Sequence, residues 1–313
     1  MIALGIDIGG TSIKGASISD KGIILDRFSL PMDRLASPEV SIGKMCDEIN
    51  KFLKDKEYKN EIIGIGLGVP GILDKNIGLV KSSPNMPKWI NFNILEFVQN
   101  KTNLPVRIVN DASSAVLGEE RFGSGKKYQN IIMITLGTGV GGGIIINRQL
   151  YDGLGGTGAQ LGHALIRLNG RPCSCGRKGC LEAYASATAL INQAKINLAK
   201  YPESELNKVK EIDAKVIFEL ERKGDKLAKK LVKEYVLYLS EGLLDYCNIF
   251  RPDVFLLSGG VANEGEYLIK KITRYMKKHT YGYVNAPAIP VKLASLGYDS
   301  GKIGAASLFF EEL

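Results

Sequence analysis

The chain has 313 residues, with 41 Lys and Arg against 33 Asp and Glu, a net charge of +8. At 45% hydrophobic and 24% charged residues it can bury a sizeable core, most simply as two domains. No apolar run reaches the ~18 residues of a membrane span. The opening MIALGIDIGGTSIKG lacks the features of a signal peptide, which makes a cytoplasmic location the default expectation. The basic excess does not argue for nucleic acid or a membrane surface. In stretches such as ERKGDKLAKKLVKEY (221–235) it is interleaved with acids, as on a solvated helix face.

Strands are expected at 3–9 and 13–19 around a glycine turn, with a third at 23–30. Met45, Ile49, Phe52 and Leu53 share one face of a helix over 39–55. A buried strand at 62–69 ends at Pro70-Gly71. A helix at 94–102, a strand at 105–110 and a helix at 111–122 follow, with Asp111 at the N-cap position. The pattern then restarts with a strand at 130–137, a glycine turn and a strand at 143–150. Helices are expected at 181–199, 213–223 and about 225–249, a strand at 252–260 entering a glycine turn, a helix at 264–279, a strand at 289–296 and a last helix at 300–312. The class is α/β with mixed sheets. Both halves open with strand, glycine turn, strand, a weak internal repeat carried by DIGGTSIKG (7–15) and LGTGVGGGI (136–144).

Gly66, Gly68 and Gly71 spell GxGxxG, as do Gly137, Gly139 and Gly142. The dinucleotide reading needs a strand before and a helix after. Pro70 and the β-branched run IIINRQ spoil that context. A hairpin turn can still cradle phosphate on successive backbone N–H groups, with glycines in positive φ or allowing close backbone approach. Thr11 and Thr138 add hydroxyls, Lys14 a charge, and Asp7 at the first turn's mouth suits an intervening Mg²⁺. Two plain tight hairpins are the alternative. Asp111, where a strand ends and a helix begins, reads both as a cap and as a general base at the carboxyl end of a strand. The helix N-terminus favours its ionised form, which makes it a weak base.

His163, Cys173, Cys175 and Cys180 supply one nitrogen and three sulfurs. That set suits a closed, structural, tetrahedral Zn²⁺, against the alternative of three free thiols in a glycine-rich loop. Such a site would fix Gln160, His163 and Glu182 together, short polar groups suited to a polyhydroxyl ligand.

The segments DIGGTSIKG (7–15), GVPGILD (68–74), NDASSA (110–115), LGTGVGGGIIINRQLYDG (136–153), Gly162-His163, CSCGRKGCLEAYAS (173–186) and LLSGGVAN (256–263) together resemble the ROK family of sugar kinases and sugar-responsive repressors, in particular its glucokinase-like members. The resemblance implies a two-lobed actin-like ATPase (ribonuclease H-like) fold with the active site in the inter-lobe cleft. Residues 1–112 plus 300–313 are expected to form one α/β lobe, and 113–299 the larger lobe with the zinc loop. It implies ATP on Gly9, Gly10, Thr11, Lys14 and on Gly137, Thr138, Gly139, with Ser258, Gly259 and Gly260 near the adenosine. It further implies Asp111 as the base acting on a hexose 6-hydroxyl, Asn110, His163 and Glu182 as sugar contacts, and His163 with the three cysteines as zinc ligands. A homodimer or homotetramer is expected. Glucose is the first-choice hexose, with N-acetylmannosamine, fructose or mannose as alternatives.

Two departures stand out. The family stretch GExGH reads GAQLGH here, so Gln160 replaces a glutamate. Glutamine both donates and accepts, which alters one sugar contact. The first strand also begins by about residue 3, which leaves no room ahead of it for the helix-turn-helix of repressor members. The expectation is therefore a kinase and not a DNA-binding repressor; a non-catalytic sugar-binding regulator using the same pocket is the alternative, against which Asp7, Asp111 and the two glycine turns argue.

Overall fold

A computed structural model describes residues 1–83, 86–282 and 285–310. Strands β1 (Ile2–Ile8) and β2 (Ser12–Ser19) form the expected hairpin, extended by β3 (Ile24–Pro31). Then come α1 (Pro38–Lys54), β4 (Ile62–Val69) and three short strands, β5 (Ile72–Asp74), β6 (Leu79–Ser82) and β7 (Ile90–Asn93). They are followed by α2 (Ile94–Thr102), β8 (Val106–Asn110) and α3 (Asp111–Phe122). The second half contains β9 (Ile131–Leu136), β10 (Val140–Ile146), β11 (Gln149–Tyr151), α4 (Glu182–Ala185), α5 (Ala187–Asn197), α6 (Ala214–Lys223) and α7 (Lys226–Phe250). It ends with β12 (Val254–Ser258), α8 (Glu266–His279), β13 (Val291–Leu293) and α9 (Ser300–Ser307).

The internal repeat is present in the topology. One five-stranded sheet has the order β3-β2-β1-β4-β8 and the other β11-β10-β9-β12-β13. Each is an antiparallel meander of three strands whose first strand also pairs, in parallel, with a later one. The chain forms two compact units. One unit is Met1–Gln129, Gly143–Ala159 and Ser295 onward; the other is Asn130–Gly142 and Gln160–Ala294.

The first sheet shows how sequence alternation builds a site. Even-numbered residues of β1, Leu4, Ile6 and Ile8, join the core with Ile42, Met45 and Ile49 of α1 and with Ile94 and Val98 of α2. The odd-numbered face carries Ala3, Gly5 and Asp7. Its small residues let α9 lie directly on the sheet: a Cβ on Gly5 would come 1.9 Å from Lys302 O, and one on Gly66 1.8 Å from Ala305 O. Helix α3 meets α9 in the same way. Added Cβ atoms at Gly118 and Gly304 would strike Ser300 O at 2.5 Å and Ser114 O at 1.7 Å. The start of α9 is thereby brought against Asp7, and α3 is locked beside it.

Several expectations shift. The N-cap of α3 is Asn110, whose Oδ1 accepts from Ala112 N and Ser113 N at 3.1 and 3.4 Å; Asp111 is the first helical residue. The expected helix over 181–199 breaks at Ser186, which is extended (ψ 160°) and caps α5 by accepting from Ala189 N. Strand β10 begins at Val140, so the second turn is only Gly137–Gly139 and the following glycines lie in the strand. Residues 311–312 of the expected last helix lie outside the described residues, and α9 ends at Ser307. The sheet β5-β6-β7 was not foreseen: its strands have three or four residues, too few for a periodic signal. Only its inner row, Leu73, Val80 and Phe92, is buried.

Candidate functional site

In the first unit, Asp7 and Asp111 stand at the carboxyl ends of β1 and β8 with β4 between them. Asp7 pairs with Gly68, and Gly68 with Val109. Asp7 Cγ lies 3.3 Å from where a Cβ of Gly301 would be, so the glycine lets the carboxylate sit against α9 without crowding. Burial lifts the Asp7 carboxyl above its ordinary range, opposed by the charges of Lys302 and Lys14. Burial also lifts Asp111, and the charge of Asp7 lifts it further, against the Ala112 N–H that donates to Asp111 Oδ1 at 2.9 Å. This corrects the expectation of a weak base: desolvation and a like charge outweigh the helix N-terminus. Asn110 is already engaged, since its Nδ2 donates to Gly71 O at 3.3 Å while its Oδ1 caps α3, leaving one amide hydrogen for a ligand.

The first glycine turn, Gly9–Thr11, closes with Gly9 N donating to Ser12 O at 3.0 Å, and Thr11 O accepts from Met32 N at 3.0 Å. Neither Gly9 nor Gly10 has positive φ. Lys14 lies opposite Asp7 on β2, its Nζ 5.8 Å from the Tyr298 ring centroid.

In the second unit, Gly137, Thr138 and Gly139 join β9 to β10, and Gly137 N donates to Gly139 O at 3.0 Å. These glycines also avoid positive φ; at Gly139 the Glu182 carboxylate occupies the space of a side chain, with Oε2 2.4 Å from where a Cβ would be. A Cβ on Gly137 would meet nothing within 4 Å, so packing within the chain does not demand glycine there. Ser258 ends β12 beside Thr135 of β9, and Gly259 (φ 88°) abuts the Leu136 backbone, which puts the Ser258–Gly260 turn next to the Gly137 turn. Gly260 also borders a cavity of about 480 Å³ lined by Lys215, Phe218, Arg222 and Glu264 among others. Arg222 donates to Glu264 at 2.5 Å across it.

The four expected metal ligands converge. His163, Cys173, Cys175 and Cys180 place ligand atoms within 4.8 Å of one another. Cys173 Sγ lies 3.6 Å from His163 Nδ1, and Cys175 Sγ 3.7 Å from Cys180 Sγ. Zn–S bonds of about 2.3 Å and Zn–N bonds of about 2.0 Å give tetrahedral edges of about 3.5–3.8 Å, so the set fits a closed Zn²⁺ site. Burial and the neighbouring thiols push Cys180 up to about 12, which a bound dication would reverse by holding it as thiolate. The loop is shaped by Gly176 (φ 87°) and Gly179 (φ 85°); a Cβ on Gly179 would come 1.8 Å from Arg167 O. Gly162 is needed for the same reason, with Val140 O 1.9 Å from its would-be Cβ.

Glu182 opens α4 two residues after Cys180. Its Oε1 accepts from Ser174 Oγ at 2.9 Å and its Oε2 from Val140 N at 3.0 Å. Gln160 is exposed, and its carbonyl accepts from His163 N at 3.0 Å. The expected residues thus fall into two groups. Asp7, Gly9, Gly10, Thr11, Lys14, Asn110 and Asp111 lie in the first unit, and the others in the second.

Sequence reasoning missed three residues. Lys302 is almost fully buried, paired with Asp299 Oδ1 at 2.7 Å and acting on Asp7; a lone lysine inside the apolar helix SGKIGAAS was the available signal. Arg34 lies beside Gly10, its Cδ 3.5 Å from the would-be Cβ, with no local pattern to announce it. Ala159 takes a left-handed conformation (φ 56°) where the stretch GExGH has its first glycine.

The sequence profile described as the ROK family matches residues 3–312. A glucokinase of Thermotoga maritima is 34% identical over 318 residues, covering 99% of this chain and 98% of that one. A xylose repressor of Bacillus spizizenii is 31% identical over 311 residues, 99% of this chain and 77% of the repressor. Among solved structures, the ROK family glucokinase from Streptomyces griseus in complex with glucose and AMPPNP is 32% identical, with a TM-score of 0.82 over 98% of this chain and 99% of that one. The family profile runs along nearly the whole chain, and the solved glucokinase matches it over 98% of its length: the chain belongs to the ROK family and has its actin-like ATPase (ribonuclease H-like) fold.

Proposed function

We propose that this chain is an ATP-dependent hexose kinase that phosphorylates the sugar 6-hydroxyl, with glucose as the first substrate. The observation that carries the reading is the pair Asp7 and Asp111 at strand ends on either side of β4, the second lifted above its ordinary range by burial and by the first. A carboxylate of raised pKa is a better proton acceptor at neutral pH. Asp111 orients the sugar hydroxyl and takes its proton as that oxygen bonds to the γ-phosphorus. The bond from the γ-phosphorus to the bridging oxygen breaks, and ADP leaves with the electron pair.

Gly9, Gly10, Thr11 and Lys14, and Gly137, Thr138 and Gly139, receive the phosphates. Ser258, Gly259 and Gly260 with the cavity beside Phe218 receive the adenosine. Asp7 is the residue that would face Mg²⁺, which supplies neutralising charge to the phosphates. Asn110, Gln160, His163 and Glu182 contact the sugar, and zinc on His163, Cys173, Cys175 and Cys180 is structural. The similarity to glucokinases, one of them solved with glucose and AMPPNP, supports the reading.

The test is ADP release with Mg-ATP against glucose, mannose, fructose, N-acetylglucosamine, N-acetylmannosamine and allose. Turnover on glucose that disappears in a folded Asp111→Asn variant supports the assignment, and retained turnover in that variant refutes the role of Asp111. Turnover on another sugar alone would make Gln160 the specificity residue, tested by Gln160→Glu. The similarity to a xylose repressor favours one second reading, a sugar-responsive regulator without catalysis. It requires sugar binding with no ADP release on any sugar.

A further inference from the structure

The segment that follows the last metal ligand holds the second glycine turn at both of its ends. Val140 N, the first donor after the turn, donates to Glu182 Oε2 at 3.0 Å. Gly137 O, at the start of the turn, accepts from Ala187 N at 2.9 Å, where α5 begins. The missing side chain of Gly139 leaves the space that the Glu182 carboxylate fills. The other oxygen of Glu182 reaches the metal loop, accepting from Ser174 Oγ at 2.9 Å and lying 3.6 Å from Cys173 Sγ. The loop is tied in at its base as well: Leu181 N donates to Ala164 O at 2.9 Å, next to His163. One carboxylate therefore joins the metal loop to the glycine turn through two hydrogen bonds, both within the second unit.

We infer that Glu182 is a positioning residue for the Gly137–Gly139 turn, so that order in the metal loop sets affinity for a nucleoside triphosphate as well as for a sugar. This rests on the kinase reading, which gives that turn to the phosphates. Backbone N–H groups bind an anion well only when their directions are fixed beforehand. A turn released from Glu182 must lose that freedom on binding, and Val140 N–H is left without its acceptor.

The experiment measures binding of a fluorescent N-methylanthraniloyl ATP with Mg²⁺, in the absence of sugar, to zinc-loaded protein. Glu182→Ala is expected to weaken binding about tenfold, the effect of one lost charge-assisted hydrogen bond. Glu182→Gln keeps an acceptor for Val140 N–H and a donor towards Ser174, and is expected to bind within about threefold of the parent. Ser174→Ala, at an exposed position that is not a metal ligand, removes only the link to the loop and is expected to give an intermediate loss. Chelation of the metal is expected to weaken the parent but to add little in Glu182→Ala, as for two changes acting through one link. Parent-like nucleotide affinity in Glu182→Ala, with sugar binding lost, overturns the inference and leaves Glu182 as a sugar contact alone. Equal losses in the Gln and Ala variants overturn the hydrogen-bond account. No nucleotide binding by the parent protein refutes the kinase reading itself.

Discussion

Replacing Asp111 with asparagine should remove activity and at the same time stabilise the fold. Asp7 lies opposite Gly68, and Gly68 opposite Val109, two inter-strand steps of about 4.8 Å, with Asp111 two residues further on, which puts the carboxylates about 10–12 Å apart. Unit charges at that spacing and an effective dielectric of about 20 repel by about 1.4–1.7 kcal/mol, and partial exposure to solvent brings this nearer about 1 kcal/mol. Asparagine keeps an oxygen for Ala112 N–H. It relieves the repulsion and the buried charge, but gives up an interaction with the α3 N-terminus of about 0.3–1 kcal/mol. The net expected gain at pH 7 is about 0.5–1 kcal/mol, or a Tm higher by about 1–2 °C. The pH dependence follows from the raised folded-state pKa: the native state holds its proton longer than the unfolded chain. The stability that Asp111 contributes is therefore complete below the unfolded value of about 3.9 and is lost as pH rises through the folded value. The two proteins should converge in Tm towards pH 4 and separate at pH 7. Thermal unfolding followed by circular dichroism at both pH values, with ADP release measured alongside, checks this. A variant less stable at pH 7, or an equal difference at both pH values, would refute the electrostatic argument.

The α3–α9 contact leaves no room for a methyl group, because a Cβ on Gly304 would fall 1.7 Å from backbone oxygen. Gly304→Ala should cost about 3 kcal/mol or more, read from urea unfolding; a loss under 1 kcal/mol would show that the helices can slide apart. Ala159→Gly relieves a left-handed alanine and should raise stability by about 0.5–1 kcal/mol after the entropy cost of glycine, with a fall in Tm as the contrary result. Metal analysis should find about one zinc per chain, lost in Cys175→Ser with a fall in Tm. A metal-free parent that unfolds at the same temperature would contradict a structural role for the site.

Much of the molecule was legible in the sequence because its signals are local. The helix over 94–102, the strand over 62–69 and the paired hairpins follow from periodicity and glycine, and the hairpins carried the duplication later seen in the two sheet orders. Four soft ligands in one short stretch announced the metal cluster before any distance was known. The strands β5, β6 and β7 were missed because three or four residues hold no measurable period, and the break at Ser186 because a cap and a helix interior differ there by one ψ angle.

What the sequence alone determined is the inventory of chemistry: two aspartates at strand ends, two glycine turns and a Cys₃His set. What only the tertiary structure decided is how those groups act on one another. Glycines at 5, 66, 301 and 304 bring α9 down onto the sheet and against α3, which buries Asp7 near Lys302 and lifts Asp111 where its helix position alone would lower it. Glu182 likewise joins a metal loop to a glycine turn more than 40 positions away in the chain. Proton affinity and hydrogen-bond partnership depend on desolvation and on neighbours within a few ångströms, and no local pattern of residues encodes which distant segments will supply them.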